Sequence, residues 1–364
     1  MRIAFLHTSF ATCGGIERVW IEKMNYLATH FGYDIVMVTS DQGNHPMSFP
    51  VDERVRHIDM NIGMHTQYRY SGLRRLQKRR QLSRLYEERL RQLLLDVRPD
   101  ILVCTSTQDM RQLLRLRGNT PVIVESHINF AHDGTLWNKL LTRYNNHYVG
   151  KADAVVTLTQ GDAKNWRKVS KNVHVIPNFV HLNDTGSISD CSSKKAVFIG
   201  RLVKEKGLDD MTSIWRQVNA QHPDWQLHLY GEGTMNSVPD IQLFVHPATA
   251  TPFERYKESS LLLLTSKFES FGLVLPEAMS CGIPVVSYDC PYGPASIISD
   301  GKDGFLIPNR DEQLYVKRVL QLIEDAELRR QMGVQGLTSS QRYRAENIMQ
   351  QWAALYQSLM PAKS

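Results

Sequence analysis

Short apolar runs alternate with longer stretches of helical periodicity along the whole chain, and this alternation indicates the fold. In the first half, five apolar runs predict strands buried in a sheet, and the amphipathic segments between them predict helices. The predicted strands span residues 3–7, 34–39, 101–104, 122–125 and 154–158, and the helices residues 15–31, 72–97, 107–117, 134–150 and 160–168. Strands that alternate with helices pair in parallel, so the pattern predicts an α/β domain with a doubly wound parallel sheet.

Residues 178–195 interrupt this pattern, because they lose all periodicity and are rich in Ser, Asn and Asp. Such a segment is typical of a linker between domains. Alternation then resumes, with predicted strands at residues 196–199, 225–230, 241–244, 261–264, 284–287 and 304–307. A last helix over residues 345–360 is indicated by the spacing of Ile348, Trp352, Leu355 and Leu359. The chain is therefore predicted to hold two α/β domains and a C-terminal helix.

Length and composition agree with that organisation. The chain has 364 residues, enough for two cores, and 42% of them are hydrophobic. No window approaches the ~20 apolar residues of a membrane span, and Met1 leads directly into the first predicted strand, so we expect neither a span nor a signal peptide. The five cysteines are scattered and lack metal-binding spacing. Reduced thiols in the cytoplasm are the simplest interpretation.

The formal net charge is +6, and the excess is concentrated in the second predicted helix. The basic residues fall within residues 69–91, in and just before this helix: Arg69, Arg74, Arg75, Lys78, Arg79, Arg80, Arg84, Arg89 and Arg91. The apolar residues spaced for its buried face are Leu73, Leu76, Leu85, Leu90, Leu93, Leu94 and Val97. The basic face is either a solvated surface or a contact with an anionic membrane leaflet. Nucleic acid is disfavoured, because stacking aromatic residues are not interleaved on that face.

The segment 261–290 has the pattern of a ligand site. Two apolar runs without polar alternation predict strands buried on both faces of a parallel sheet, joined by a crossover helix. Glu269 lies in the loop after the first run, and Glu277 lies on a helix predicted to start near Gly272. Unpaired N–H groups in the first turn of such a helix suit a phosphate, and two carboxylates can hold sugar hydroxyls. The simpler alternative is that both glutamates only complement the helix N-terminus.

A string of residues in this segment resembles a family signature. It comprises Glu269, Ser270, Phe271, Gly272, Leu273, Pro276, Glu277, Ala278, Gly282 and Pro284 to Val286. The string resembles that of family 4 glycosyltransferases, which have the GT-B fold and retain anomeric configuration. The resemblance implies two Rossmann-like domains with the active site in the cleft between them. We accordingly expect an acceptor-binding domain over residues 1–178, a nucleotide-sugar-binding domain over residues 179–344, and a C-terminal helix, residues 345–364, that crosses back to the first domain.

The resemblance also implies roles for residues of the second domain. Arg201 and Lys206 match the positions where the family places cations on the donor diphosphate. Glu269 is expected to hold the transferred sugar, and Glu277 the ribose. The remaining nucleotide-sugar-binding positions are Phe271, Gly272 and Leu273. Because fixed cations can neutralise the leaving diphosphate, we expect catalysis without a metal ion or cofactor. The expected route to retention is same-face substitution, in which the leaving diphosphate deprotonates the acceptor hydroxyl.

Three positions of the first domain are candidates as well. Gly14 and Gly15 follow the first strand and resemble the glycine-rich acceptor-side loop that covers the donor. His127 ends the strand predicted at residues 122–125, in a region where the family places a histidine near the donor sugar and the reacting carbon. A structural, hydrogen-bonding histidine is the alternative. Glu125 shares the face of His127 and is a further candidate.

Residues 290–304 bear on the donor, since they resemble a stretch of the subgroup that uses UDP-hexoses and UDP-N-acetylhexosamines. Ser296 stands where that subgroup has a glutamate, which leaves the subgroup open. We expect transfer of a hexose or N-acetylhexosamine to a glycan or lipid-linked glycan, in the assembly of bacterial surface polysaccharide or lipopolysaccharide. The expected location is the cytoplasm, or the inner face of the plasma membrane if the basic helix binds lipid.

Two other functions remain as alternatives. A non-catalytic nucleotide-sugar-binding subunit would be expected to lose Arg201, Lys206 or Glu269, and this chain has all of them. A nucleotide-sugar epimerase has a related GT-B fold, but its sugar site lacks the arrangement of Glu269 and Glu277. Both features favour the transferase.

Overall fold

The computed structural model of the protein describes residues 1–12, 14–105, 110–127 and 136–360. The chain divides into two compact units. The first comprises Met1–Ile176 with Met349–Ser364, and the second Pro177–Ile348. Parts of three predicted elements, at residues 107–109, 134–135 and 361–364, lie outside the described residues, as does Cys13.

The first unit is built around a parallel sheet. Its described strands are β1 (Arg2–His7), β2 (Asp34–Thr39), β3 (Arg56–Asp59), β4 (Ile101–Thr105), β5 (Val122–Ser126), β6 (Ala154–Thr157) and β7 (Val173–Val175). Its helices are α1 (Gly15–His30), α2 (Gly72–Val97), α3 (Met110–Leu116), α4 (Leu136–Val149) and α5 (Gln160–Trp166). The spatial order is β3-β2-β1-β4-β5-β6-β7. The strand order therefore reverses between β1 and β4, the point where open α/β sheets bind ligands.

All five strands predicted in this unit are confirmed. They could be predicted because a strand buried on both faces of a sheet is a continuous apolar run. The sequence reading missed β3 and β7. These two strands form the edges of the sheet and are only partly buried. An edge strand needs no apolar run, so its pattern carries little signal.

Helix α2 differs from the prediction at its N-terminal end. Leu90, Leu93 and Val97 are buried as expected, whereas Leu73 and Leu76 are 78% and 54% exposed. A helix of 26 residues is about 39 Å long at 1.5 Å per residue, about twice the length of a six-residue strand. The sheet can therefore cover only part of α2, and we call its exposed beginning, residues 72–81, the basic end of α2.

The second unit also contains a parallel sheet. Its described strands are β8 (Lys195–Ile199), β9 (Gln226–Tyr230), β10 (Leu243–His246), β11 (Leu261–Leu264), β12 (Val285–Tyr288) and β13 (Gly304–Ile307). Its helices are α6 (Leu208–Asn219), α7 (Pro252–Lys257), α8 (Val274–Met279), α9 (Pro294–Ile297), α10 (Glu312–Glu324) and α11 (Ala326–Ser340). The order β10-β9-β8-β11-β12-β13 reverses between β8 and β11. Together the two sheets confirm the predicted fold class of two Rossmann-like domains.

Two predictions for this unit need correction. The strand expected at residues 241–244 begins later, because a turn of 3₁₀ helix occupies Pro239–Ile241 and β10 runs from Leu243 to His246. The segment expected to be a linker packs onto the second unit. Ser189 N–H donates to Cys281 O at 2.9 Å, and Arg329 Nε donates to Cys191 O at 3.0 Å. These bonds satisfy backbone groups of a polar, aperiodic segment. Its composition alone resembles that of a free linker.

The last helix, α12 (Ala345–Leu359), matches the predicted element. From Met349 onward its residues belong to the first unit, where the Trp352 ring contacts Lys23. Among the described helices, none is long and apolar enough to cross a membrane. Cys104, Cys191, Cys281 and Cys290 are buried free thiols.

Candidate active site

Loops from three adjacent strands of the second unit meet at the carboxyl edge of its sheet. These loops follow β8, β11 and β12, which are neighbours in the sheet. Thr265 Oγ1 donates to Lys206 O and Gly207 O at 3.1 and 3.0 Å, which joins the first two loops. The N–H groups of Tyr292 and Gly293 donate to Glu269 O at 2.8 and 2.9 Å, which joins the last two. The loops therefore form one backbone framework at the reversal of the strand order.

Lys206 and Glu269 form an ion pair within this framework. Lys206 Nζ lies 2.5 Å from Glu269 Oε1, and the same oxygen accepts from Ser266 Oγ at 2.7 Å. Gly207 follows Lys206 with φ of +65°, and a Cβ there would lie 2.0 Å from Thr265 O. Only glycine fits so close an approach in that conformation. Both ionic side chains thus lie on short loops that hydrogen bonds join, although 63 positions separate them in sequence.

Glu277 is buried on α8, where Tyr256 Oη of α7 lies 3.2 Å from Glu277 Oε2. Helix α8 is shorter than predicted. Gly272 has φ of +92°, which excludes it from a helix, and the six residues of α8 begin only at Val274. The N–H groups of Leu275 and Glu277 are already paired with Gly272 O and Leu273 O. Pro276 has no N–H, so at most the N–H groups before Leu275 can bind an anion, fewer than expected.

Phe271, beside Gly272, is buried and packs its ring edge-on against Tyr343, with the ring centroids 5.4 Å apart. Gly293 lies so close that a Cβ there would meet Phe271 O at 2.1 Å. Ser296 Oγ donates to Gly293 O at 2.6 Å, and Tyr343 Oη donates to Ser296 O at 3.0 Å. These contacts hold the loop after β12, although Ser296 stands where the resemblance implies a carboxylate.

Arg201 lies beyond the end of β8 and is exposed. Next to it, Leu202 lines a cavity of about 530 Å³ at the ends of β9 and β10. The cavity is also lined by Gly231, Glu232, Gly233, Val245, His246, Pro247 and Ala248. None of these residues was singled out from the sequence. The glycines at positions 231 and 233 after a predicted strand were the only available signal.

His246 in this cavity forms a pair with His228, with 2.9 Å between His246 Nε2 and His228 Nδ1. Burial, the neighbouring His246 and Lys195 lower the pKa of His228 to about 4. Burial and Arg255 also lower the pKa of His246. At neutral pH the pair is therefore uncharged, and it stacks with Tyr230, whose ring centroid is 4.6 Å from that of His246.

In the first unit, Gly14 is the N-cap of α1 and Gly15 its first residue. A Cβ at Gly15 would meet no described atom within 4 Å, so that side of the backbone is open. Glu17, in the first turn of α1, has its Oε1 atom 3.7 Å from His7 Nε2 of β1 and accepts a hydrogen bond from Thr12 Oγ1. Burial by itself would raise the pKa of Glu17, but His7 and Thr12 hold that pKa below its usual value. His7 was not singled out from the sequence.

His127 directly follows β5 and is 6% exposed. Its Nε2 atom lies 3.1 Å from Glu125 Oε2 and 3.0 Å from Trp20 Nε1. The two first-unit candidates expected to share a face, Glu125 and His127, are therefore in contact. The structure brings together His127 with Glu125, and Lys206 with Glu269, in different units.

Two family models match the chain. Residues 13–184 match the model described as Glycosyltransferase Family 4, and residues 187–338 match that described as Glycosyl transferases group 1. Together they cover most of the sequence. The boundary between the matches falls inside the segment that precedes β8.

Two relatives are similar over nearly their whole length. An uncharacterized glycosyltransferase of Haemophilus influenzae is 28% identical over 368 residues, covering 97% of this chain and 99% of the relative. The amylovoran biosynthesis glycosyltransferase AmsD of Erwinia amylovora is 25% identical over 374 residues, covering 96% and 98%. Among solved structures, Anabaena HepE in complex with UDP has a similar fold, with a TM-score of 0.75, 18% identity, and coverage of 98% of this chain and 100% of that one.

Full-length relatives and paired family models agree with two parallel sheets whose strand orders reverse beside the candidate residues. This chain belongs to the family 4 glycosyltransferases and has the GT-B fold.

Proposed function

We propose that this chain transfers a hexose or N-acetylhexosamine from a UDP-sugar to a glycan or lipid-linked glycan acceptor, with retention of configuration and without a metal ion. The observation that carries the proposal is the ion pair of Lys206 and Glu269 at the reversal of strand order in the second unit. There a cation and a carboxylate lie side by side on loops that hydrogen bonds join. A nucleotide sugar needs both, because the cation binds its diphosphate and the carboxylate accepts hydrogen bonds from its hydroxyls.

Donor binding would exchange the partners of this ion pair. Lys206 and exposed Arg201 would bind the diphosphate oxygens, and Glu269 would accept hydrogen bonds from the transferred sugar. Glu277, oriented by Tyr256, would accept hydrogen bonds from the ribose. The base would occupy the cavity beside Leu202, where the uncharged ring of His246 offers a flat surface. Each part of a nucleotide sugar thus has a named partner in the second unit.

The chemistry would follow from charge and position. As the bond from the sugar to the diphosphate breaks, negative charge grows on the leaving oxygens, and the cations Lys206 and Arg201 would stabilise it. The leaving diphosphate would take the proton of the acceptor hydroxyl on the same face of the sugar, which retains configuration. His127, Gly14 and Gly15 would form the acceptor-side part of the site. Because AmsD is named for amylovoran biosynthesis, we propose surface-polysaccharide assembly as the setting.

A direct assay tests this function. The protein is incubated with UDP-glucose, UDP-galactose and UDP-N-acetylglucosamine, with and without lipid-linked acceptors, and UDP release is measured. Acceptor-dependent release with an α-linked product, shown by NMR, is the expected result. A changed sugar without any acceptor would indicate an epimerase, and binding without turnover would indicate a partner subunit.

The donor base can be tested by thermal stabilisation. We expect UDP to raise the melting temperature more than GDP or ADP does. Stabilisation follows RT ln(1 + [L]/Kd), so a tenfold difference in affinity corresponds to ~1.4 kcal/mol at saturating ligand. Glu277→Ala, which removes the proposed ribose partner, should reduce the effect of UDP. Stronger protection by GDP would contradict the UDP proposal and favour mannosyl or fucosyl donors.

The basic end of α2 is proposed to contact an anionic membrane. Leu73 and Leu76 are exposed there beside several arginines, and Tyr68, just before α2, is 69% exposed. Apolar and basic side chains on one exposed segment suit insertion between acidic headgroups. A solvated surface is the alternative. Contact with a membrane would bring the protein close to a lipid-linked acceptor.

Liposome sedimentation distinguishes membrane contact from a solvated surface. Binding is expected to require anionic lipid, to fall with salt, and to be lost when Arg74, Arg75, Arg79 and Arg80 are changed to Gln. A matched control changes four exposed cations elsewhere in the first unit, Lys164, Arg167, Lys168 and Lys171, to Gln. The control removes the same charge and should still bind. Equal binding to neutral liposomes, or equal loss in both variants, would leave only the solvated surface.

A further inference from the structure

A chain of polar side chains on β9 and β10 ends at the cavity beside Leu202. Gln226 and His228 lie on β9, and His246 is the last residue of β10. His228 Nε2 lies 3.2 Å from Gln226 Oε1, and His228 Nδ1 lies 2.9 Å from His246 Nε2. Of these three side chains, His246 alone lines the cavity. Gln226 and His228 therefore act on the cavity through His246.

The His246 ring contacts two partners in the second unit. Tyr230, its neighbour on β9, stacks against it, with the ring planes 17° apart and the centroids 4.6 Å apart. The ring plane of His228 is 13° from that of His246, which suits a hydrogen bond that lies in both rings. Rotation of His246 about its side-chain bonds would break both contacts. The two partners together determine which way the His246 ring faces.

The bond between the two imidazoles depends on their charge. One nitrogen must donate and the other must accept, so two protonated rings would bring N–H groups face to face. Burial, His246 and Lys195 of β8 lower the pKa of His228 to about 4, and burial and Arg255 of α7 lower the pKa of His246. Glu232 also lines the cavity, yet the pKa of both histidines is lowered. The hydrogen bond is therefore present at neutral pH.

We infer that His228 is a positioning residue, which holds the His246 ring in the orientation that binds the base of the nucleotide sugar. This inference rests on the proposed function, which places the base in the cavity at His246. His228 acts through its hydrogen bond to His246, without contact to the base. The base does not change during the reaction, so a contact with it contributes equally to the bound donor and to the transition state. Such a contact lowers KM without raising kcat.

Nucleotide binding to His228 variants tests this role. His228→Phe keeps a flat ring and removes the hydrogen bond to His246, so UDP should bind about 3- to 10-fold more weakly by calorimetry. Inorganic pyrophosphate has no base, and its affinity, measured by competition with UDP, should not change. His228→Asn places an amide near the former position of Nδ1 and should restore UDP affinity to within about twofold of wild type. Unchanged UDP affinity in His228→Phe, or no recovery in His228→Asn, would overturn the inference.

The pH dependence gives a second measure of the same bond. The ratio of UDP affinities between wild type and His228→Phe cancels the titration of the diphosphate itself. This ratio should stay constant from about pH 8 down to pH 6.5, the ordinary pKa of a histidine, and should decrease at lower pH as the pair is protonated. A ratio that is already lost at pH 6.5, or that stays constant down to about pH 4, would contradict the role of the neutral pair.

A matched control separates positioning from stability. Leu227 precedes His228 on β9, is 0% exposed, and points to the opposite face of the sheet. Leu227→Ala should lower the melting temperature by opening a cavity in the core, while the affinities for UDP and pyrophosphate stay near those of wild type. An equal loss of UDP affinity in Leu227→Ala and His228→Phe would show an effect of stability and overturn the inference. An equal loss of UDP and pyrophosphate affinity in His228→Phe would do the same.

Kinetics distinguish this role from the proposed function. With UDP-glucose and UDP-N-acetylglucosamine as donors, His228→Phe should raise donor KM by the factor seen for UDP and leave kcat unchanged. A lower kcat with an unchanged KM would overturn the positioning role. If wild type neither binds UDP nor uses either donor, the proposed function fails and the inference fails with it. If wild type uses a UDP-sugar and His228→Phe has the same KM, only the positioning role fails.

Discussion

Lys206→Ala is expected to lower kcat by about a hundredfold or more, with a smaller change in donor KM. Lys206 Nζ lies 2.5 Å from Glu269 Oε1, and Lys206 ends a turn of 3₁₀ helix. A cation fixed in this way stabilises charge that grows on the leaving diphosphate mainly in the transition state, so its removal affects turnover most. Arg201→Ala should have an effect of similar size. Initial rates of UDP release over a range of donor concentrations measure both parameters.

The same turn supplies the control for this prediction. Lys204 lies two residues before Lys206 in the same 3₁₀ turn and is exposed, so Lys204→Ala removes the same charge from the same loop. That variant should keep wild-type kcat. If Lys204→Ala and Lys206→Ala lose activity equally, the effect comes from general charge and the specific role is wrong. Excess EDTA should leave wild-type activity unchanged, and abolition with rescue by Mn²⁺ would contradict the metal-independent mechanism.

The two glutamates are expected to affect different kinetic parameters. Glu269→Ala should mainly lower kcat, because its proposed partner is the transferred sugar, and Glu277→Ala should mainly weaken nucleotide binding. Loss of a hydrogen bond to a buried carboxylate costs ~1.5 to 3 kcal/mol, so each effect should be at least about tenfold. Steady-state kinetics and UDP titration by calorimetry separate the two. Glu277 lies on α8 beside Tyr256, and Glu269 lies on the loop after β11 beside Lys206, which supports different partners.

Two further substitutions sharpen this comparison. Glu205→Ala removes an exposed carboxylate from the loop after β8 and should leave both parameters unchanged. Tyr256→Phe removes the hydroxyl whose oxygen lies 3.2 Å from Glu277 Oε2, and should weaken UDP binding less than Glu277→Ala does. Wild-type kinetics in both glutamate variants would refute the proposed donor site. A uniform loss in all four proteins would point to unfolding, which the melting temperatures would reveal.

Most strands of both sheets could be predicted because each is a contiguous apolar run, and a strand buried on both faces admits few other residues. The misses have local reasons. The edge strands β3 and β7 carry polar residues, and β10 starts later than its apolar pattern suggests because Pro239 begins a 3₁₀ turn before it. The apolar spacing of α2 predicted a buried face along the whole helix. Periodicity cannot show where the sheet beneath a long helix ends.

The residues of the candidate site likewise divide into those that the sequence could predict and those that it could not. Glu269, Glu277, Arg201 and Lys206 belong to short motifs, which are legible because a tight loop or helix start demands particular residues at fixed spacing. The cavity at His246 and the contact of His7 with Glu17 have no such motif. They arise where strand ends distant in sequence meet. A histidine or glycine in isolation is compatible with many environments.

The sequence by itself determined that this chain forms two parallel-sheet units, belongs to the family 4 glycosyltransferases and carries its candidate donor residues in the second half. Those properties depend on contiguous residues. The tertiary structure alone decided that Lys206 pairs with Glu269, that Lys23 contacts both Glu125 and the Trp352 ring, and that the basic end of α2 is exposed. The free energy of a buried or exposed charge depends on partners that folding brings from distant positions, and no local pattern records them.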